Sequence, residues 1–269
     1  MLGSALDLSF LEFFWYQGKP SIFFAVELGA VLSAFILMFI FRKENGKIEG
    51  FNEKTKVTDY VPTVLLVSAL VLLILASLIP NKPDITNGLI CCALLVVGIT
   101  YKTVKERNLK SIVPVLKGID FETIFILLGL FLMIGGISEQ GVIDKVATFF
   151  AEIGGNNIFL LYTVIVWASV LISAFIDNIP YVATMIPVIA GISSSLGIDP
   201  TPLYFGLLSG ATLGGNCTPI GASANITGIG ILRRNGYEVK NKDFFRIGIP
   251  FTLAAIVPAY IYIWLVYGI

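Results

Sequence analysis

Residues 206–230 read GLLSGATLGGNCTPIGASANITGIG, with seven glycines and Pro219 in 25 positions. A continuous helix does not tolerate that composition, because glycine costs about 1 kcal/mol and proline about 3 kcal/mol relative to alanine in a helix interior. Two half-helices fit better, one over 202–213 and one over 221–232, with the chain unwound over 214–220. At about 1.5 Å per residue each half measures about 18 Å, and the two together cross a bilayer core of about 30 Å, which puts the break near the midplane. Non-helical backbone at that depth must be buried in protein or line a cavity, since its peptide groups find no water. The unwound residues include Asn216 and Thr218, and Ser223 and Asn225 open the second half. Freed carbonyls with amide and hydroxyl oxygens make a site for a hard cation, and half-helix N-termini attract anions. A small-residue surface for close helix packing is the alternative. It accounts for the glycines but gives Asn216, Thr218 and Asn225 nothing to do.

Just upstream, residues 173–189 read SAFIDNIPYVATMIPVI, with Asp177, Asn178 and Pro180 between an apolar arm ending at Phe175 and another starting at Tyr181. A carboxylate inside an apolar stretch is expensive unless paired or hydrated, so Asp177 is a functional candidate. The same four residues are also ordinary turn chemistry between two full spans. Against the plain turn, no Lys or Arg occurs between Lys145 and Arg233, although cytoplasmic turns attract basic residues. The expectation is a hairpin over 158–196 that dips into the membrane from outside, with Asp177–Pro180 facing Asn216 and Thr218 across a wet cavity.

Further out, apolar runs cover 21–41, 60–79, 85–101, 121–137 and 247–267, each compatible with a helix that spans a bilayer. The 269 residues are 56% hydrophobic and 13% charged, with a mean hydropathy of +0.88, whereas soluble domains carry about 25% charged residues. Basic residues set the orientation. Loops 42–59, 102–120 and 233–246 hold five each, together 15 of the 18. All three fall on the inner side if 158–196 enters and returns and 202–232 crosses once. Segment 138–156, with Val142, Ile143, Val146, Phe149 and Phe150 on one helical face, reads as an interfacial helix leading into the hairpin. Glu27 is a second carboxylate in an apolar run, close enough to the outer interface to reach it or a neighbouring helix.

Composition also removes functions. Eighteen basic and 18 acidic residues cancel, so there is no excess with which to neutralise a nucleic-acid backbone. The absence of histidine eliminates Ser/His and Cys/His nucleophile pairs and the HExxH zinc helix. An aspartyl-type membrane enzyme needs a second intramembrane Asp, and only Asp177 is on offer. The chain is therefore expected not to be an enzyme. Cys91, Cys92 and Cys217 have no disulfide or zinc spacing and read as small apolar fillers.

The two motifs SAFIDNIPYVATMIPVI and GGNCTPIGASANITGIG, supported by LSFLEFF at 8–14, GLFLMIGGISEQGVID at 129–144 and RIGIPFTL at 246–253, resemble the C-terminal half of ArsB/NhaD-type transporters. That group includes arsenite permeases, Na⁺/H⁺ antiporters, the melanosomal P protein and citrate transporter-like proteins. The resemblance implies an all-α polytopic membrane protein, one repeat of an inverted-repeat transporter, with spanning helices, one re-entrant helical hairpin and one broken helix. It implies a single membrane domain over 1–269. Residues 20–119 are scaffold-like, 120–232 form a transport unit with hairpin 158–196 and broken helix 202–232, and 247–269 is the final span. Asp177, Asn178 and Thr184 belong to the hairpin site, and Asn216, Thr218, Ser223 and Asn225 to the broken helix, with Na⁺ near Asn216, Thr218 and Asn225.

The implied activity is secondary transport of a small inorganic or organic ion, of anion or Na⁺/H⁺ type, driven by Na⁺ or H⁺. No Walker GxxxxGK[ST] motif occurs, and no other cofactor is expected. Members of this type carry two hairpins, so the resemblance implies a chain that begins after the first repeat and needs that half, with a homodimer as the complete form. A bacterial or archaeal cytoplasmic membrane is the expected site. A non-transporting membrane subunit or an inert fragment of such a transporter is the alternative.

Overall fold

The computed structural model describes residues 8–44, 58–79, 85–108, 112–119, 121–154 and 157–269, together with Gly3, Leu6 and Pro83. Lys47, Lys54, Lys56 and Lys110, counted above among the basic loops, lie outside the described residues. The helices are α1 (Ile22–Ile40), α2 (Val61–Ser77), α3 (Thr86–Glu106), α4 (Ile112–Lys117), α5 (Phe121–Glu139), α6 (Val142–Gly154), α7 (Ile158–Ser173), α8 (Asn178–Leu196), α9 (Thr201–Gly214), α10 (Ser223–Arg234) and α11 (Asn241–Tyr267). A two-residue antiparallel ribbon, Trp15–Tyr16 with Lys19–Pro20, precedes α1. Among the described residues α1, α3, α8 and α11 are long and apolar enough to cross a membrane, and α2 and α7 are apolar but shorter.

The chain forms two compact units. One holds residues 9–11 and 46–126, the other the remainder. In the first, α2 and α3 pack against each other. Their joint is polar: Asp59 accepts from the Val61 amide at 3.0 Å, from the Lys105 ammonium at 2.5 Å and from the Tyr101 hydroxyl at 3.1 Å. The Lys105 bond first, then those from Val61 and Tyr101, hold the Asp59 carboxyl below the ordinary carboxylate range.

The second unit is built around α9. It is buried over most of Thr201–Gly214, with Thr212 exposed and Leu208 and Leu213 half-buried, and packs against α7, α8 and α11. Its contact with α7 depends on Gly206, Gly210 and Gly214. Cβ atoms there would lie 2.7 Å from the Tyr162 ring, 2.6 Å from the Val166 carbonyl and 2.6 Å from the Val170 carbonyl. With a period of four the three glycines share one helix face, so the small-residue packing surface is present and occupies the first half of the motif.

Helix α1 runs antiparallel to α11. Ser33 donates to the Phe251 carbonyl at 3.1 Å, and Gly29 lies so close to Ala255 that a Cβ would come within 2.6 Å of its carbonyl. At one end Lys19 donates to the Val266 carbonyl at 2.6 Å, Tyr262 to that of Pro20 at 2.9 Å, and Tyr162 to that of Tyr260 at 2.8 Å. The starts of α1, α7 and α9 and the end of α11 therefore share one end of this unit, with Phe205 packed edge-on to Tyr267. Lys242 and Arg246 lie on the first turns of α11, toward the opposite end.

Helix α6 is the amphipathic segment expected over 138–156. Val146 and Phe150 pack on the core while Phe149 stays exposed; the Ile143 side chain lies outside the described ones. The spans expected over 85–101 and 247–267 extend further, to Glu106 and back to Asn241, because helix propensity carries the backbone past the apolar run into polar turns.

Candidate functional site

Helices α7 and α8 form a hairpin whose tip is residues 174–177. Asn157 starts the first arm by accepting from the Leu160 amide at 3.0 Å. Asp177 starts the second by accepting from the Ile179 amide at 3.2 Å, and Gly197, at φ +64°, ends it in the left-handed conformation a C-cap calls for. Asp177 is thus a helix cap, half-buried at the tip. Asn178 is half-buried beside it, and Thr184 is exposed with its hydroxyl on the Pro180 carbonyl at 2.9 Å.

The second motif is interrupted as its composition demands. The helical halves are Thr201–Gly214 and Ser223–Arg234, joined by a 3₁₀ turn at Gly215–Cys217 and extended or bent residues at 218–222. The break starts one residue later than expected and ends two later. Within it Gly215 and Gly221 meet so closely that a Cβ on Gly221 would lie 2.6 Å from the Gly215 carbonyl and 2.7 Å from the Ala174 carbonyl at the hairpin tip. Only glycine permits that approach.

Side chains satisfy the opened backbone. The Thr218 hydroxyl donates to the Ala174 carbonyl, and Asn225 Nδ2 donates to the carbonyls of Gly215 at 2.9 Å and Thr218 at 3.0 Å. One turn up, the Ser173 hydroxyl donates to the Ala211 carbonyl. Two hydroxyl bonds therefore fasten the end of α7 and the tip to the broken helix. Of the residues singled out in the sequence, Thr218 and Asn225 come together here, and Asn216 lies next to them. Ser223 is exposed.

Two separate cavities flank this joint. Asn216 and Asn225 line one of about 300 Å³, closed by Leu37 of α1 and by Phe244, Ile247, Gly248 and Phe251 of α11. Asn178 lines another of about 300 Å³ with Ile179, Val182, Leu208 and Thr212. The expected cavity shared by Asp177–Pro180 with Asn216 and Thr218 is thus replaced by two, with the Ala174 carbonyl, not Asp177, in contact with Thr218. The level of the break also differs from the equal-halves arithmetic. The Asn216 carbonyl abuts Gly248, the eighth of 27 residues of α11, about 10 Å from the helix start and about 28 Å from its end. The arithmetic counted only residues of the broken helix. Neighbouring α1 and α11 place the break near the end that carries Lys242 and Arg246. Glu27 lies on the exposed side of α1.

Ser173, Ser169, Tyr181 and Thr212 were not singled out from the sequence. A serine in an apolar helix gives no signal of its own, because its partner is a carbonyl of another segment.

The family model for the citrate transporter matches residues 1–210 and, overlapping, 109–269. An uncharacterized transporter of Mycobacterium tuberculosis is 40% identical over 155 residues, 56% of this chain and 36% of that protein. An uncharacterized transporter of Synechocystis sp. is 25% identical over 290 residues, 99% of this chain and 63% of that protein. The human P protein is 35% identical over 143 residues, 51% of this chain and 17% of its own. The chain thus spans less than two thirds of the length of each of these relatives. No solved structure matches.

Proposed function

The chain belongs to the citrate transporter family, a family of multi-pass membrane transporters, and from that premise we propose that it forms the second repeat of an ion-coupled secondary transporter. In this reading α7 and α8 are a re-entrant hairpin entered from outside, and α9–α10 is the broken helix of an inverted-repeat pair. The hairpin tip and the break move together against a scaffold. The observation that carries the reading is the fastening of tip to break by Thr218 and Ser173, since a carrier that shifts its site needs both walls of the site in one body. Asp177, Asn178, Thr184, Asn216, Thr218, Ser223 and Asn225 are the assigned site residues. Na⁺ near Asn216, Thr218 and Asn225, or a proton on Asp177, is the coupling ion, and citrate or another small anion, or Na⁺/H⁺ exchange itself, is the cargo.

Of these residues the Thr218 hydroxyl already bonds to the hairpin tip and the Asn225 amide nitrogen within the break. Asn216 and the Asn225 carbonyl oxygen are then the groups left to face an ion. The off-centre break, close to the basic end of α11, corresponds to the site lying near the inner face. A first-repeat half supplies the opposing hairpin, and a homodimer in a cytoplasmic membrane is the complete assembly.

The test is reconstitution in proteoliposomes, with radiolabelled citrate and ²²Na⁺ as cargo under imposed Na⁺ and pH gradients. Flux is expected from the chain together with a first-repeat half and not from the chain alone, and Asn216→Ala and Asp177→Asn are each expected to lower it at least tenfold. Unchanged flux in both variants would overturn the site, and robust flux from the chain alone would overturn the half-transporter reading.

A further inference from the structure

The two arms of the hairpin are held very differently. Helix α7 is fastened along its length to α9 by the glycine face and by Ser173. Helix α8 contains Pro187 in its interior, which has no N–H for the Ala183 carbonyl, so one helical hydrogen bond is missing there. The segment on the tip side of Pro187, 178–186, packs into the core through Tyr181 and Val182 and makes one side-chain bond to α7. The Ser169 hydroxyl donates to the Ile165 carbonyl at 2.6 Å, which leaves its oxygen to accept from the Tyr181 hydroxyl at 3.1 Å. Beside Pro187 the Tyr204 hydroxyl of α9 donates to the Ile186 carbonyl at 3.1 Å, pinning this point of α8 to α9.

This tip segment is also one wall of the Asn178 cavity. Asn178, Ile179 and Val182 come from it, and Leu208 and Thr212 of α9 face them. The cavity adjoins an apolar one of about 370 Å³ between α1 and α9 that shares Leu208 and Thr212 and adds Ser209. Ser209 is buried, and its hydroxyl has no protein partner. Among the described lining residues none is ionised. Asn178 and Thr212 are the hydrogen-bonding side chains of the smaller cavity.

We propose that the Asn178 cavity is a ligand compartment read by neutral hydrogen-bonding groups, Asn178 and Thr212, and that residues 178–186 of α8 are its gate, hinged at Pro187 and latched by Tyr181 on Ser169. The proposal rests on the transporter reading for what the compartment serves. Opening requires that the latch break and that Tyr181, Val182 and Ala183 leave their buried places against neighbouring helices, while α7 stays bound to α9. A ligand admitted there sits against the fastened wall and is released by the moving one.

The gate is tested without any ligand. In a background with Cys91, Cys92 and Cys217 replaced, Val182→Cys places a thiol at a buried position on the gate, and its rate of modification by N-ethylmaleimide in proteoliposomes reads opening. Tyr181→Phe, which removes only the hydroxyl, is expected to raise that rate about five- to tenfold. Pro187→Ala is expected to lower it by a similar factor, and Thr227→Cys on exposed α10 should respond to neither. Leu208→Cys reads the same cavity from the fixed wall if Val182→Cys does not fold. Equal rates with and without the latch, or parallel changes at Thr227→Cys, would overturn the gate. Thr212→Val is expected to lower flux severalfold with Thr212→Ser restoring it; indifference to both removes the ligand assignment. Since labelling needs no flux, a gate that obeys the latch while Asn216→Ala leaves transport untouched would sink the proposed site and leave the gate standing.

Discussion

Replacing Gly210 by alanine isolates the packing on which the joint depends. A Cβ at this position would lie 2.6 Å from the Val166 carbonyl oxygen and 2.8 Å from the Ser169 Cβ. Both groups belong to the fastened arm, so neither can rotate away as the end of a flexible side chain would, and α7 must shift. Overpacking of this kind costs about 1–3 kcal/mol. The local effect is opposite, since alanine is favoured over glycine in a helix by about 1 kcal/mol. Gly228 on α10 is the matched control, because a Cβ there meets nothing within 4 Å. Gly228→Ala should therefore gain up to about 1 kcal/mol, while Gly210→Ala nets a loss of about 0–2 kcal/mol. Because the local gain is common to both, the gap is the overpacking cost of about 1–3 kcal/mol, a difference in Tm of roughly 5 °C. Thermal unfolding of the purified variants in detergent, followed by intrinsic fluorescence, measures it. If the two variants melt together, the close approach of α7 to α9 is not what holds the hairpin.

Thr218→Val keeps the shape and removes the donor to the Ala174 carbonyl. It is expected to cost about 1–3 kcal/mol and to speed amide exchange across 174–178, with Thr218→Ser restoring protection. Asn225→Leu strips the Gly215 and Thr218 carbonyls of their shared donor and should lower Tm without changing exchange in α2 or α3. In the other unit, the lowered Asp59 carboxyl contributes stability above the ordinary carboxylate pKa, and that contribution is lost as pH falls through its lowered folded value. Asp59→Asn should flatten the acid limb of the α2–α3 melting profile, and an unchanged profile would show that the Lys105 pair is not coupled to folding. The pair is exposed, so the effect is small and should shrink further in high salt.

How much of this was legible in the chain follows from the range of the interactions involved. Glycine and proline act on their own backbone, so the interruption of the helix between Gly214 and Ser223 could be read from 25 residues and came out within two positions of the observed bounds. The apolar runs are likewise a one-dimensional property, and they sufficed for the helices. The same glycines that suggested either a break or a packing surface proved to be both. Gly206, Gly210 and Gly214 meet α7, whereas Gly215 and Gly221 meet each other and the hairpin tip. Choosing between those roles needs the partner, and the partner is set by tertiary contacts. The partners of the polar side chains were hidden for the same reason. Thr218 meets the carbonyl of Ala174, Ser173 that of Ala211, and Asn178 shares its cavity with Thr212 instead of Asn216. A carbonyl carries no residue identity, so no spacing in the sequence announces it. The level of the break was decided by the register of α11, fixed where Gly248 admits the Asn216 carbonyl. That is a steric fit between segments more than 30 residues apart, which only the folded chain brings together.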